Sequence, residues 1–469
     1  MNVLMVSNRV SDPSGGAMQG GLAAALFAAM KTSRVTWIGS SGKSSPPKGG
    51  ELPITIKPIG ESRLATVDFP AAEYRRFYNG MANAALWPVL HYRADLLRYE
   101  SEACASYFAI NDAMAEAVCR VMEDRSLIWV HDYHFFPLAD RLRRRGVESP
   151  IGFFLHTPFP TRSVLACLPK HRELMRTLAA YDVIGFQTDE DLLRFRDYAT
   201  SDLAATMIGQ TDLHLGERRV KLGVFPIGID VERFASAAEH ANRSRTLARI
   251  RRSLDGGVVA IGVDRLDYSK GLPLRIQAYE RFLTRYPEER KRVTFLQITP
   301  PTRSEVDSYK KFRAELASMA GEINARFGDV GWVALNYINE GFPPDRLAGF
   351  YRLSKIGCVT PLRDGMNLVA KEYIASQDPE DPGVLVLSKF AGAAKELHAA
   401  LLVNPYNTEE VATSLHRALY MPRAERIERW TALMRVLRNG NLQSWYDSFL
   451  VALRTASITT APLIDRSVA

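Results

Sequence analysis

Short apolar runs alternate with longer helical patterns along this chain, and partway through the alternation starts again. "NVLMVS" (2–7), "VTWIG" (35–39), "SLIWVH" (126–131), "IGFFLH" (151–156) and "DVIGFQ" (182–187) read as buried strands, with helical patterns such as 21–31 and 106–123 between them. "GVVAIGVDRL" (257–266), "RVTFLQITP" (292–300), "WVALNYI" (332–338), "KIGCVTPL" (355–362) and "GVLVLS" (383–388) form a second set. Between them, "LPLRIQAYERFLTRYP" (272–287) repeats Ile276, Tyr279, Leu283 and Tyr286 at helical spacing, and Pro273 sits near its start, where a missing N–H costs little. Alternation of this kind predicts an α/β chain with doubly wound parallel sheets covered by helices on both faces. At 469 residues the chain exceeds one ordinary core and suits two domains. The expected join lies near "FPIGIDVERF" (225–234), giving domains over 1–232 and 233–440. Residues 441–469 are expected to return to the first domain as a helix ("NLQSWYDSFLVALRTAS", 441–457) followed by a loose tail. The halves repeat an architecture, not a sequence.

Composition narrows the partners. Hydrophobic residues at 46% and charged residues at 24% are those of a soluble globular protein. The net charge of +8 is dispersed over helices such as "RLRRRG" (141–146) and "RIRRSL" (249–254), which read as solvated faces. No nucleic-acid recognition module accompanies it, so nucleic acid is not an expected partner. A mild positive excess suits a small anionic substrate. Cys104, Cys119, Cys167 and Cys358 are scattered without metal-like spacing and point to reduced thiols and a cytoplasmic location. "MNVLMVSNRV" lacks the apolar core of a signal peptide, and no run is long enough to span a membrane, so no membrane is expected either.

In open α/β sheets ligands bind beyond the carboxyl ends of the strands, and polar residues gather there. Arg9 closes the first strand, and Gly20 and Gly21 open a helix, either for close approach to a phosphate or simply as a turn. They do not form the G-x-G-x-x-G dinucleotide pattern. Asp132 follows a strand, where it could bind a sugar hydroxyl or cap a helix. His131 and His134 are three apart, a spacing open to zinc, but no third ligand or H-E-x-x-H pattern accompanies them. Arg265 and Lys270 converge around a glycine turn, suited to a diphosphate or merely solvated. Arg303 follows another strand.

The stretch "TPLRDGMNLVAKEY" (360–373) combines a strand end, a turn dipeptide at Asp364-Gly365 and a plausible N-cap at Asn367. The N–H groups of Leu368, Val369 and Ala370 would then face an anion. Glu372 reads as a favourable charge near the helix start, and Lys371 as a solvated side chain. No nucleophile elbow, P-loop or D-x-D motif appears. The ensemble favours a nucleotide diphosphate held by basic side chains and helix N-termini instead of a metal.

"VSNR" (6–9), "GGL" (20–22), "YNGMANAALWPVLHYR" (78–93), "WVHDYH" (129–134), "GFFLHTPFP" (152–160), "GFQT" (185–188), "PIGID" (226–230), "DRLDYSKGLP" (264–273) and "TPLRDGMNLVAKEY" together resemble the retaining trehalose-6-phosphate synthases of glycosyltransferase family 20. The resemblance runs from about residue 2 to about residue 450. It implies a GT-B fold, two Rossmann-like domains with the active site in the cleft between them. It also implies transfer of glucose from UDP-glucose to glucose 6-phosphate, giving α,α-trehalose 6-phosphate and UDP, with no cofactor and no metal.

By matching position, the resemblance implies an acceptor pocket of Arg9, Tyr78, Trp87, Asp132 and Arg303, with the two arginines on the acceptor phosphate. It places the donor on Gly20, Gly21, Arg265, Lys270, Phe342 (at the uracil) and the run Asp364, Gly365, Met366, Asn367, Leu368, Val369, Ala370, Lys371 and Glu372. In that run Asp364 binds glucose, the Leu368 and Val369 N–H groups meet the diphosphate, and Glu372 binds the ribose. Asp132, His156, Arg265 and Lys270 are the implied catalytic set, Trp87 and His156 shape the reacting centre, and a donor phosphate oxygen takes the acceptor proton. The resemblance leaves room for a homo-oligomer, dimer or tetramer. Two departures from the family pattern are Gln19 before the glycine pair and Ser40, in "WIGSSG" (37–42), where many members carry Trp. Ser40 bears on acceptor choice. Rival readings are a synthase with another phosphorylated acceptor (glucosylglycerol-phosphate synthase), a pseudo-glycosyltransferase, or an idle sugar-nucleotide sensor. Retention of Arg9, Tyr78, Asp132 and Arg303 speaks for a hexose phosphate, and retention of Arg265 and Lys270 speaks against the sensor.

Overall fold

Apolar runs with no polar face become strands only where both sides of a sheet are covered, and the first set does so in one ten-stranded sheet. Its strands are β1 (Val3–Arg9), β2 (Val35–Ser45), β3 (Ile54–Ile59), β4 (Ser62–Pro70), β5 (Leu127–His131), β6 (Ile151–Phe154), β7 (Val183–Phe186), β8 (Thr206–Ile208), β9 (Asp212–Leu215) and β10 (Arg218–Val224). They lie in the order β3-β4-β2-β1-β5-β6-β7-β10-β9-β8. The run from β4 to β10 is parallel, and β3, β9 and β8 add antiparallel margins. A second, six-stranded sheet holds β11 (Val258–Val263), β12 (Val293–Ile298), β13 (Leu335–Ile338), β14 (Ile356–Val359), β15 (Val384–Ser388) and β16 (Leu401–Val403). Its order is β13-β12-β11-β14-β15-β16, parallel throughout. This computed structural model describes residues 2–10, 26–27, 30, 33–45, 52–253, 256–302 and 307–459. Gln19, Gly20, Gly21, Arg303, most of the helical pattern expected over 21–31 and the end of the tail lie outside them.

The chain divides into two compact units, Met1–Pro226 with Trp445–Ala469, and Ile227–Ser444. The changeovers therefore fall at Pro226 and Ser444, where the sequence suggested 232 and 440. Each sheet reverses its winding beside its first strand, between β1 and β5 in one unit and between β11 and β14 in the other. Those are the topological switch points at which such sheets bind ligands.

The helix Leu442–Thr459 shows why the chain's last helix belongs on the first sheet. Trp129 of β5 is fully buried and stacks on Phe449 at 4.3 Å between ring centroids. Strands β6 and β7 carry glycine beneath the same ring: a Cβ at Gly152 or Gly185 would come within 2.7 or 2.9 Å of Phe449. Glycine in a strand interior normally weakens it, and here it admits an aromatic ring against the sheet. The β3–β4 hairpin and β8, β9, β10 and β16 had no counterpart among the expected strands. β3 is mostly exposed and β8 and β16 are three residues each, so neither an apolar run nor a long alternation marks them. No described helix is long and apolar enough to cross a membrane.

Candidate active site

At the β11/β14 switch point the backbone is fixed from below by a buried ion pair. The Arg275 and Asp264 side chains are 0% and 1% exposed and meet at 2.6 Å. Arg275 Nε also donates to Thr360 Oγ1 at 2.9 Å, and its other nitrogens to Gln297 Oε1 (3.1 Å) and the Lys270 carbonyl (3.4 Å). One guanidinium thus ties the end of β11, the adjoining β12, the exit of β14 and the loop that carries Lys270, a use of the planar fork that lysine could not copy. Burial pushes the Asp264 carboxyl up, and the neighbouring Arg275 charge pulls it down. The loop closes at Gly271, whose φ of 66° and close approach to the Thr360 carbonyl (2.7 Å from a built Cβ) both require glycine. Above this base Arg265 is exposed, and Lys270 Nζ lies 2.5 Å from Asp364 Oδ2.

Past β14 the chain turns as the Asp364-Gly365 dipeptide predicts and opens the helix Leu368–Ala375. Asn367 sits at φ 75°, in the left-handed region that asparagine tolerates better than most residues. Its Oδ1 accepts from the Ala370 N–H at 3.3 Å, and its Nδ2 donates to Asp364 Oδ2 at 3.0 Å. The expected N-cap is therefore real, but it takes one of the three N–H groups assigned to an anion. Among the described residues nothing takes the N–H groups of Leu368 and Val369, whereas that of Ala370 is taken.

Glu372 is half-buried and accepts a 3.2 Å hydrogen bond from the Tyr351 hydroxyl. Burial pushes its carboxyl up to about 7, against the lowering effects of that bond and of Arg233. Lys371 corrects its expectation. It is neither solvated nor turned toward the donor loop, being 1% exposed with Nζ 2.7 Å from Glu396 and donating to the Ile227 carbonyl at 2.8 Å. Arg363 lies over the Phe390 ring at 5.3 Å. The Asp364–Met366 backbone rests on the next loop: Asp364 donates to the Phe390 carbonyl, and Gly392 and Ala393 donate to the carbonyls of Asp364 and Met366. Phe342, expected at a base, is held edge-on by Phe350 (5.3 Å) and faced by the Arg346 guanidinium (4.7 Å).

At the β1/β5 switch point the surroundings are rings. Phe69, Tyr74, Tyr78 and His134 form a column with centroid steps of 5.8, 5.9 and 5.9 Å and nearly parallel planes. Tyr78 belongs to a π-helix, Arg76–Leu86, a form that often marks functional positions. The Tyr74 hydroxyl donates to Asn8 Oδ1 at 3.1 Å, and the Ser40 hydroxyl and the Arg9 charge act on it as well. Ser40 is 1% exposed and takes a hydrogen bond from the Gly42 N–H at 3.1 Å. Arg9 is exposed, and its guanidinium lies over Gly42, whose φ of 83° favours glycine. Trp87 is buried against His91 (3.9 Å) and Tyr133 (5.7 Å).

Asp132, directly after β5, has φ 72° and ψ 167°, a conformation nearly confined to glycine. It is locked there by its own N–H to the Phe154 carbonyl (2.8 Å) and by the His156 N–H to its Oδ1 (3.3 Å). Strain retained at a strand end points to function. The Asp132 side chain caps no helix. His131 faces His156, whereas His134 lies on Tyr78 and Tyr133. Among the described residues the one group of side chains clustered closely enough for a metal is Glu288, Glu289 and His416, which includes neither His131 nor His134.

The sequence pattern of "Glycosyltransferase family 20" matches residues 10–455. The chain belongs to glycosyltransferase family 20. It is 46% identical over 460 residues to the trehalose-6-phosphate synthase of Sinorhizobium fredii, covering 97% of this chain and 98% of that protein. An α,α-trehalose-phosphate synthase (UDP-forming) from Burkholderia xenovorans, in complex with glucose-6-phosphate, matches with TM-score 0.92 and 41% identity over 96% of this chain and 100% of that one. The Escherichia coli structure bound with UDP-2-fluoro glucose matches with TM-score 0.91 and 39% identity over 97% and 99%. The architecture of this family-20 chain is GT-B, with two Rossmann-like units. The switch points bring together Lys270, Asp364 and Asn367 in one unit, and Asp132 and His156 in the other. Arg275, Asp264 and Glu396 are the members of these networks that the sequence did not reveal.

Proposed function

We propose that this family-20 chain is a retaining glucosyltransferase that moves glucose from UDP-glucose to glucose 6-phosphate, releasing α,α-trehalose 6-phosphate and UDP in trehalose biosynthesis. The observation that carries this reading is near-full-length similarity to trehalose-6-phosphate synthases, among them proteins solved with glucose-6-phosphate and with UDP-2-fluoro glucose.

In this reading the unit with the β11/β14 switch point takes the donor. Arg265 and Lys270 neutralise the diphosphate as it leaves, and the free Leu368 and Val369 N–H groups add the positive end of a helix. Lys270 also fixes Asp364 through their ion pair, with Asn367 holding the same carboxylate oxygen, so the sugar-binding carboxylate is oriented before glucose arrives. Glu372 accepts from the ribose, and Phe342, held by Phe350, lies against uracil. Gly20 and Gly21 are assigned to the diphosphate by the family pattern alone.

The unit with the β1/β5 switch point takes the acceptor. Arg9 holds the phosphate, Tyr78 and Trp87 wall the sugar, and Asp132 binds it beside the reacting centre; Arg303 is assigned to the phosphate by the family pattern alone. The acceptor hydroxyl enters on the face the diphosphate leaves, which retains the α configuration, and a donor phosphate oxygen takes the proton. The scheme calls on no metal, cofactor or protein nucleophile, because fixed cations and N–H groups carry the developing charge. The free cysteines accord with action in the cytoplasm.

An acceptor panel with UDP-glucose tests the reading, following UDP release and product identity. Glucose 6-phosphate should turn over fastest and give α,α-trehalose 6-phosphate. An inert glucose 6-phosphate beside an active glycerol 3-phosphate or cyclitol phosphate would transfer the chain to one of the related synthases.

A further inference from the structure

His131 ends β5, and His156 follows β6, its neighbour in the sheet. His131 Nδ1 lies 3.2 Å from His156 Nε2, a hydrogen bond that needs one proton between the two rings. Both rings are neutral: burial holds His131 well below the ordinary histidine range and His156 at about 3. Either His131 donates from Nδ1 or His156 donates from Nε2.

The far side of His131 decides between them. Its Nε2 is buried and has no hydrogen-bond partner among the described residues, lying among the indoles of Trp129 (4.7 Å between ring centroids) and Trp445 (6.1 Å). With the proton on Nδ1, that nitrogen is only a bare lone pair. With the proton on Nε2, it is a buried N–H without an acceptor, the rarer and more costly state.

We propose that His131 is a positioning residue that fixes the tautomer of His156: His131 Nδ1–H donates to His156 Nε2, so His156 carries its own proton on Nδ1 and meets the substrates as an N–H donor instead of a base. His156 Nδ1 has no hydrogen-bond partner among the described residues, and the Asp132 carboxylate holds the backbone N–H of the same residue. The fixed donor suits an oxygen with negative or partial negative charge, a sugar hydroxyl or a phosphate oxygen. It agrees with a transfer in which a donor phosphate oxygen, and no side chain, removes the acceptor proton. The inference rests on the proposed function for the place of His156 at the reacting centre, but the tautomer itself does not.

Histidine-selective 15N labelling of the full chain reads the tautomer directly, with the His156 ring assigned by its loss in His156→Asn. The wild type should show His156 protonated on Nδ1. His131→Asn, whose amide N–H overlays the lost ring N–H, should keep that tautomer and most of the turnover. His131→Phe fills the space without a donor, and an unconstrained neutral imidazole favours Nε2–H. His156 should then switch, with turnover lower by on the order of tenfold, less than the roughly 10²–10³-fold loss of a direct donor, and the KM for glucose 6-phosphate unchanged. Protonation of His156 on Nε2 in the wild type, or an unchanged tautomer in His131→Phe, would overturn the proposal. Should His131→Phe fail to fold, the wild-type tautomer still decides. Full turnover by His156→Ala would instead remove His156 from the reacting centre, a failure of the site reading separable from the tautomer result.

Discussion

The two switch points share a topology and differ in chemistry. Beside β11 and β14 the working groups are ionic: Arg265 and Lys270 above, the Arg275–Asp264 pair beneath, and a helix N-terminus opposite. Beside β1 and β5 they are rings, with Arg9 and Asp132 at the margin and His131 and His156 neutral. A doubly wound sheet supplies a place to bind and leaves the choice of ligand to the side chains. In the proposed assignment, charge collects where the diphosphate would leave, and aromatic walls collect where the acceptor sugar would be oriented.

The same contrast should appear when each unit is broken from within. Arg275→Met leaves the Asp264 carboxylate buried and unpaired, and should cost the β11–β16 unit about 3–5 kcal/mol in urea unfolding. Phe449→Ala should cost the other unit a similar amount, about 3–5 kcal/mol, through a cavity against Trp129 and not through charge. Salt should modulate neither loss strongly, since both sites are buried. Arg275→Met without measurable destabilisation would mean that the ion pair is not what holds the switch point.

Removing Arg265, the proposed leaving-group cation, comes next in size. Arg265→Ala should lower turnover by about 10²–10³-fold and leave glucose 6-phosphate affinity intact in steady-state assays of UDP release. Equal losses in turnover and acceptor affinity would blur the division between the units.

A smaller effect concerns pH. The Glu372 carboxyl is pushed up to about 7 by burial, and in the proposed donor site it would accept from ribose hydroxyls best as a carboxylate. Its pKa is raised, so the acceptor form is lost as pH falls through 7, and UDP-glucose affinity should rise roughly tenfold between pH 6 and 8. Glu372→Gln should flatten that profile in a titration by calorimetry. The sign for stability is the reverse: ionising this carboxyl in the free protein costs stability as pH rises from its unfolded value toward 7.

The smallest effect belongs to Ser40→Ala, which removes one polar contact of the Tyr74 hydroxyl and the cap on the Gly42 N–H. It should cost about 1 kcal/mol and raise the KM for glucose 6-phosphate severalfold without changing turnover. No change in KM would separate the Tyr74 contact from acceptor binding.

What could be read from the sequence was local. Asp364, Gly365 and Asn367 announce a strand end, a turn and a cap within four positions, and the structure forms all three. The buried supports were not readable. Arg275 stands in "LPLRIQAYERF", where it looks like a polar position on an amphipathic helix, and its partners Asp264, Gln297 and Thr360 come from other segments. Lys371 reads as a solvated side chain because Glu396, its partner, lies beyond the following strand. The ring column likewise joins β4, the π-helix region and the turn after β5. Periodicity reveals which face is buried but not which distant polar group waits there.

Hydrogen exchange of the full chain with each substrate alone tests the division of labour most directly. UDP-glucose should slow exchange over residues 265–271 and 364–372, and glucose 6-phosphate should slow it around Arg9, Tyr78 and residues 131–134. Slowing of residues 131–134 by UDP-glucose, with 364–372 unchanged, would contradict the assignment of donor and acceptor to the two switch points.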